Sequence, residues 1–164
     1  TLISSNTVAH LPYTGISLGF NWNPSKTSTR ENIVEYNHIF DVMNTLADGG
    51  GIYTLGYQPG SVLRKNLIHD VHRSRYAYGG AGNNGIFFDE GSTAIRVEDV
   101  IIYGLKSNVL DPPANPARFN NTKEDRMIWG KNYFGIKPTS PDYPKELEKE
   151  ILEKAAPIED AGVK

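Results

Sequence analysis

Val34-Glu35-Tyr36-Asn37-His38-Ile39 is the stretch that decides the fold, because it recurs. An apolar residue, two others, an asparagine, any residue and a second apolar residue also make Ile3-Ser4-Ser5-Asn6-Thr7-Val8 and Leu63-Arg64-Lys65-Asn66-Leu67-Ile68. Trp129-Gly130-Lys131-Asn132-Tyr133-Phe134 is a further copy, and Val97-Glu98-Asp99-Val100-Ile101-Ile102 keeps the frame with Val100 in the asparagine's place. The central positions step by 31, 29, 34 and 32 residues. A second pattern is interleaved: Gly15-Ile16-Ser17-Leu18, Gly51-Ile52-Tyr53-Thr54 and Gly85-Ile86-Phe87-Phe88 recur at steps of 36 and 34.

Two short strands repeating with nearly one period imply stacked rungs, about 4.8 Å apart. The expected fold is all-β: a right-handed parallel β-helix in which like positions pile vertically. Val34, Leu63 and Val97 stack inside, as do Val8, Ile39, Ile68 and Ile102. Asn6, Asn37 and Asn66 are expected at one bend, where asparagine accepts left-handed backbone and bonds along the stack. A leucine-rich repeat would have a shorter period and a denser leucine frame. A sandwich of short strands would lack the fixed phase.

The pattern loosens after Leu110, where Asp111-Pro112-Pro113-Ala114-Asn115-Pro116 removes too many amide donors for a central strand. Residues 1–136 are therefore assigned to rungs, and 137–164 to an exit segment and a capping helix. That helix begins near Pro144 and runs through Ala156, with Leu147, Ile151, Leu152 and Ala155 on one face. It is expected to cover the open end of the column. No comparable cap precedes Ile3, so the chain is expected to be the C-terminal part of a longer domain, its N-terminal part missing.

Composition narrows the functional classes. The 164 residues carry a net charge of -2 with scattered cations, so nothing suggests a phosphate-binding surface or nucleic acid as a partner. No apolar run reaches membrane-helix length. There is no cysteine, so disulfides and thiolate metal sites are out. His69 and His72 lie three apart without an obvious third ligand, so neither a metal nor another cofactor is expected.

Three stretches are richer in functional groups than a rung requires. In Gly19-Phe20-Asn21-Trp22-Asn23, two aromatics spaced by one residue face the same side of an extended segment and would stack on a sugar ring, or else pack under a loop. Asp48-Gly49-Gly50-Gly51-Ile52-Tyr53 places an acid beside glycines of the kind kept for a sharp bend or a close approach. Asp48 is thus a catalytic carboxylate or a turn acid that binds backbone amides. In Gly85-Ile86-Phe87-Phe88-Asp89-Glu90-Gly91-Ser92 a buried strand ends in two carboxylates on opposite faces. Asp89 reads as functional, and Glu90 as a strand-end charge or a substrate contact. Tyr76, Tyr78 and Gly79-Gly80-Ala81-Gly82 suit a cleft wall. Arg64, Lys65, Arg73 and Arg75 would serve a uronate site.

Tyr13-Thr14-Gly15-Ile16-Ser17-Leu18-Gly19, Asp48-Gly49-Gly50-Gly51-Ile52-Tyr53-Thr54-Leu55-Gly56, Asn66-Leu67-Ile68-His69-Asp70-Val71 and the Gly85–Ser92 stretch resemble the parallel β-helix proteins of bacterial polysaccharide degradation. The family they resemble most is glycoside hydrolase family 141, associated with α-L-fucosidase and xylanase activities, over Ile3 to Tyr103. The resemblance implies a carbohydrate substrate, a secreted protein (extracellular or periplasmic), and two catalytic aspartates at Asp48 and Asp89. Phe20, Trp22, Tyr53, His69 and Glu90 are the expected substrate-binding residues. The chain departs from the family by extra residues around Ala81 to Asn84. A hydrolase is the first expectation; a polysaccharide lyase or epimerase, or a non-catalytic binding β-helix, are the alternatives.

The aspartate pair raises a geometric problem. Along a straight strand the seven residues of their offset span roughly 23 Å. A hydrolytic pair sits about 5–9.5 Å apart. Either the triple glycine folds Asp48 back over the rung, or the pairing fails.

Overall fold

A computed structural model describes residues 1–77, 83–106 and 114–157. The chain winds through about four turns of a parallel β-solenoid, each contributing one strand to each of three sheets. The first turn holds β1 (Leu2–Ser4), β2 (Thr7–Ala9) and β3 (Ile16–Leu18). The second holds β4 (Ile33–Glu35), β5 (His38–Val42) and β6 (Gly50–Thr54). The third holds β7 (Tyr57–Arg64), β8 (Leu67–Val71) and β9 (Asn84–Phe88). The fourth holds β10 (Thr93–Glu98), β11 (Ile101–Tyr103) and β12 (Ala117–Phe119). The short β13 (Ile128–Trp129) and β14 (Tyr133–Phe134) begin a further turn. Tyr78 and Gly79–Gly82, read above as a cleft wall, and Asp111 to Pro113 lie outside the described residues.

The register is the one that the repeats predict. In the first sheet Ile3, Val34, Leu63, Val97 and Trp129 pair in one row. In the second, Val8, Ile39, Ile68, Ile102 and Phe134 do the same. In the third the row is Ile16, Ile52, Ile86 and Ala117. The middle members of these rows have no solvent exposure and form the core. Each such aliphatic side chain contributes about 1.5–3 kcal/mol of burial.

The asparagine row works as expected, with one difference. Asn37 Oδ1 accepts from Asn6 N and Nδ2 at 3.1 and 2.9 Å, and Asn66 Oδ1 accepts from Asn37 N and Nδ2 at 3.1 and 3.0 Å. The left-handed residues are instead the ones before the row: Ser5, Tyr36, Lys65 and Asp99, with φ from 49° to 61°. Turning the chain one residue early aims each asparagine amide up the column, where it replaces the pairing lost at the bend.

The recurrent Gly-Ile pair has a packing cause. A Cβ on Gly15, Gly51 or Gly85 would meet the Cγ2 of Ile39, Ile68 or Ile102 at 2.5, 2.4 and 2.6 Å. The third sheet enters the column so close to the second that only hydrogen fits. The other glycines of the triple serve the same end: a Cβ on Gly49 would strike Thr14 Oγ1 and one on Gly50 the Asn84 carbonyl, each at 2.5 Å. Close approach of neighbouring turns, rather than of a ligand, explains that run.

The C-terminal helix α1 (Lys145–Lys154) falls where expected, but it lies along the flank of the column rather than across its end. Ile151 and Tyr143 pack on Leu67 and Ile101, which face outward from the second sheet. Glu150 accepts from Tyr36 Oη and Lys65 Nζ, both at 2.9 Å, and the Ala156 amide donates to Ser5 O at 3.0 Å. The helix thus runs from the last turn back to the first and shields two outward apolar residues. Leu152, expected on its buried face, is 43 % exposed.

Candidate active site

Side chains on the outer face of the third sheet converge around Asp89. Alternation puts Ile52, Ile86 and Phe88 inside, so the intervening row of Ser17, Tyr53, Phe87 and Arg118 faces outward. Asp89 follows β9 on the same side and is only 6 % exposed. Both its oxygens are held: Tyr53 Oη donates to Oδ2 at 2.6 Å and Asn120 Nδ2 to Oδ1 at 2.7 Å. A buried carboxylate with two donors has a fixed orientation, as a positioned catalytic acid or nucleophile must.

Asp48 lies at the other margin of this face, its side chain exposed and its backbone left-handed at φ 63°. Tyr13 Oη donates to the Asp48 carbonyl at 3.0 Å. The Tyr13 phenol is pushed above its ordinary pKa by burial, opposed by a hydrogen bond with Thr14 and reinforced by the charges of Asp48 and Asp89. The Tyr53 phenol is pushed up further, first by burial, then by its bond to Asp89, with Tyr13 and Asp48 adding. Two phenols therefore stand in the field of both carboxylates.

Phe87 is fully buried although it points outward. Tyr53 meets it edge-on at 5.4 Å, and the Arg118 guanidinium covers it 4.7 Å from the ring centre. Glu90 accepts from Asn121 Nδ2 at 2.6 Å, so it is tied to the next turn rather than simply solvated. Phe20 and Trp22 are 68 % and 70 % exposed, which excludes the reading in which they pack under a loop.

His69 is not brought to this face. It points outward from the second sheet, where Nδ1 meets Asp70 Oδ2 and Nε2 meets His38 Nε2, each at 2.8 Å. Its ring stacks between Phe40 and Tyr103, at 5.1 and 4.9 Å. His72 Nε2 meets Asp41 Oδ1 at 2.7 Å, and His10 binds the other oxygen of the same carboxylate. Among the described residues no three His, Cys, Asp or Glu side chains are placed to hold a metal ion. Arg64 and Lys65, enlisted above for a uronate, are bound to Glu35 at 2.6 Å and to Glu150 at 2.9 Å. The Arg75 guanidinium lies over the Tyr76 ring.

Sequence reading missed Asn120, Asn121, Tyr13 and Arg118. The two asparagines were within reach of the period, since Asn120 and Asn121 follow Asp89 and Glu90 by 31 residues. The Gly-Ile pattern that marks the third sheet has no copy in that turn, where Pro116-Ala117 takes its place, so it gave no phase there.

No family model matches the chain, and no curated protein matches it. Among solved structures, a protein titled "Glycoside hydrolase" superposes with a TM-score of 0.68 at 24% sequence identity, over 96% of this chain and 23% of that one. At that identity the likeness is one of fold. The chain spans about a quarter of its neighbour's length. Among the described residues no helix is long and apolar enough to cross a membrane.

Proposed function

We propose that this chain supplies part of the active site of a glycoside hydrolase acting on an oligo- or polysaccharide, with Asp89 and Asp48 as its two carboxyl groups. The observation that carries the reading is Asp89 itself, buried on an outward sheet face with Tyr53 and Asn120 each occupying one oxygen. Burying a carboxylate is costly, and a column of this kind needs none at that position. Glycosidic cleavage uses one protonated and one ionised carboxyl across the scissile bond. The Tyr13 and Tyr53 hydroxyls give their protons to the Asp48 carbonyl and the Asp89 carboxylate, which leaves their oxygens to accept from a ring hydroxyl. Phe20 and Trp22, exposed after β3, offer faces for sugar rings. The shared fold with a protein titled "Glycoside hydrolase" supports the same reading, and so does the motif resemblance to family 141. On this reading the chain is the C-terminal part of a longer extracellular or periplasmic protein, and Glu90 binds substrate at the margin.

Asp89→Asn tests it. The amide keeps the shape and removes the charge, so turnover of a glycoside by the protein should fall by at least about 10³-fold with the thermal midpoint little changed. Unchanged turnover removes Asp89 from catalysis. Reducing-end products without an ultraviolet-absorbing unsaturated sugar separate hydrolysis from a lyase reaction.

A further inference from the structure

Arg118 stands on the outer face of the third sheet with a vacancy in its bonding. Its Nη1 is buried and has no hydrogen-bond partner. The nearest carboxylate in sequence register, Asp89, has both oxygens taken by Tyr53 and Asn120, and among the described residues no acid forms an ion pair with Arg118. What holds the guanidinium is the Phe87 ring beneath it. Nη1 is out of reach of solvent, but the side chain as a whole is only half-buried, so a permanently charged guanidinium with no carboxylate partner offers its remaining N–H edge to an anion. Further along the same turn two more cations line a cleft. This cleft of about 290 Å³ opens past the Asp89–Asn120 bridge, lined by Gly91, Asn121, Lys123 and Arg126 among others. Neither Lys123 nor Arg126 forms an ion pair among the described residues.

We infer that Arg118 is a substrate-binding residue that takes the anionic substituent of an acidic sugar, a uronate carboxylate or a sulfate ester, next to the Asp89 carboxyl. The inference rests on the hydrolase reading for its setting and deepens it by naming the substrate class. A planar guanidinium pairs with either anion through two parallel N–H bonds, and the Phe87 ring supports it from below. Lys123 and Arg126 then meet further anionic units of the same glycan.

The experiment uses three probes: an oligogalacturonate, its carboxyl-reduced neutral counterpart, and a sulfated oligosaccharide. Each is titrated into the protein by calorimetry, with NMR following the Arg118 Nε–Hε resonance. At least one acidic probe should bind 10-fold or more tightly than the neutral one, move that resonance, and weaken as salt is raised. The acidic probe that binds identifies carboxylate or sulfate as the source. Arg118→Gln should abolish the preference, and Arg118→Lys, which keeps charge without the fork, should restore part of it. Equal affinity for acidic and neutral probes overturns the inference, as does an acidic preference that survives Arg118→Gln; buried water then satisfies Nη1. Loss of turnover in Asp89→Asn with no role for Arg118 leaves the hydrolase reading standing alone. Acid binding through Arg118 with full turnover in Asp89→Asn does the reverse.

Discussion

Gly51→Ala adds one methyl group at the point where the third sheet passes closest to the second. The new Cβ would lie 2.4 Å from Ile68 Cγ2 and 3.0 Å from the Gly85 carbonyl, against an ordinary contact of at least about 3.4 Å. Gly51 is not among the positive-φ glycines, so alanine can adopt its backbone. Reduced freedom of the unfolded chain would then stabilise the variant by about 0.4–1 kcal/mol. The clash works against this. Ile68 has no exposure and packs between Ile39 and Ile102 in its row, so it cannot move by 1 Å without displacing them. Overpacking of this kind costs about 1–3 kcal/mol, giving a net loss of about 1–2 kcal/mol. Ile68→Ala alone should cost about 2–5 kcal/mol through its cavity. The double variant should cost at least about 1 kcal/mol less than the sum, because the added methyl occupies part of that cavity. Urea unfolding at fixed m-value measures all three. Strict additivity, or a Gly51→Ala variant more stable than the parent, refutes the claim that Ile68 is what enforces glycine at this position.

Other outcomes follow from the same geometry. Asn37→Ala removes the acceptor for two Asn6 bonds and the donor to Ile3 O and Asn66 Oδ1, a loss of about 2–4 kcal/mol; Asn6→Ala, at an exposed position, should lose less than half as much by the same assay. His38 is pushed down to about 4 from an ordinary 6.5 by burial and then by the charge of His69. Because folding lowers this value, the unfolded chain binds the extra proton between pH 6.5 and about 4: stability is full above 6.5 and falls as pH drops through that window. The limit is about 3 kcal/mol, and partial exposure and coupling to His69 bring the expected loss nearer 1–2 kcal/mol. His38→Phe should flatten stability between pH 7 and 4.5, as followed by urea midpoints; an unchanged slope would assign the acid sensitivity to other groups. The depressed carboxylates Asp41 and Asp70 act separately, losing their contribution only below about pH 4.

The β-solenoid was legible because stacking makes the chain repeat itself. Positions that pile vertically share one environment, so Val34, Leu63 and Val97, or Asn6, Asn37 and Asn66, are chosen by the same packing and show as a period. The terminal helix was legible from its 3.6-residue spacing and the proline before it. Where that helix docks was not, because the apolar residues it covers, Leu67 and Ile101, read along the chain like any other core residues. The site divides in the same way. Asp89 was visible as a buried strand ending in an acid, and Asp48 as an acid ahead of glycines. Which side chains stand near each of them depends on the backbone turn at Asp48 and on which way each short strand faces. That His69 stands on the second sheet rather than the third was not legible for the same reason: an outward-facing polar residue on a rung looks alike in sequence whichever of the three flanks it occupies. Sequence alone determined the column and its period, since these come from local, repeated contacts. Tertiary structure alone decided which side chains meet across turns, because Tyr53, Asp89, Asn120 and Arg118 come together only when three successive turns are stacked in register.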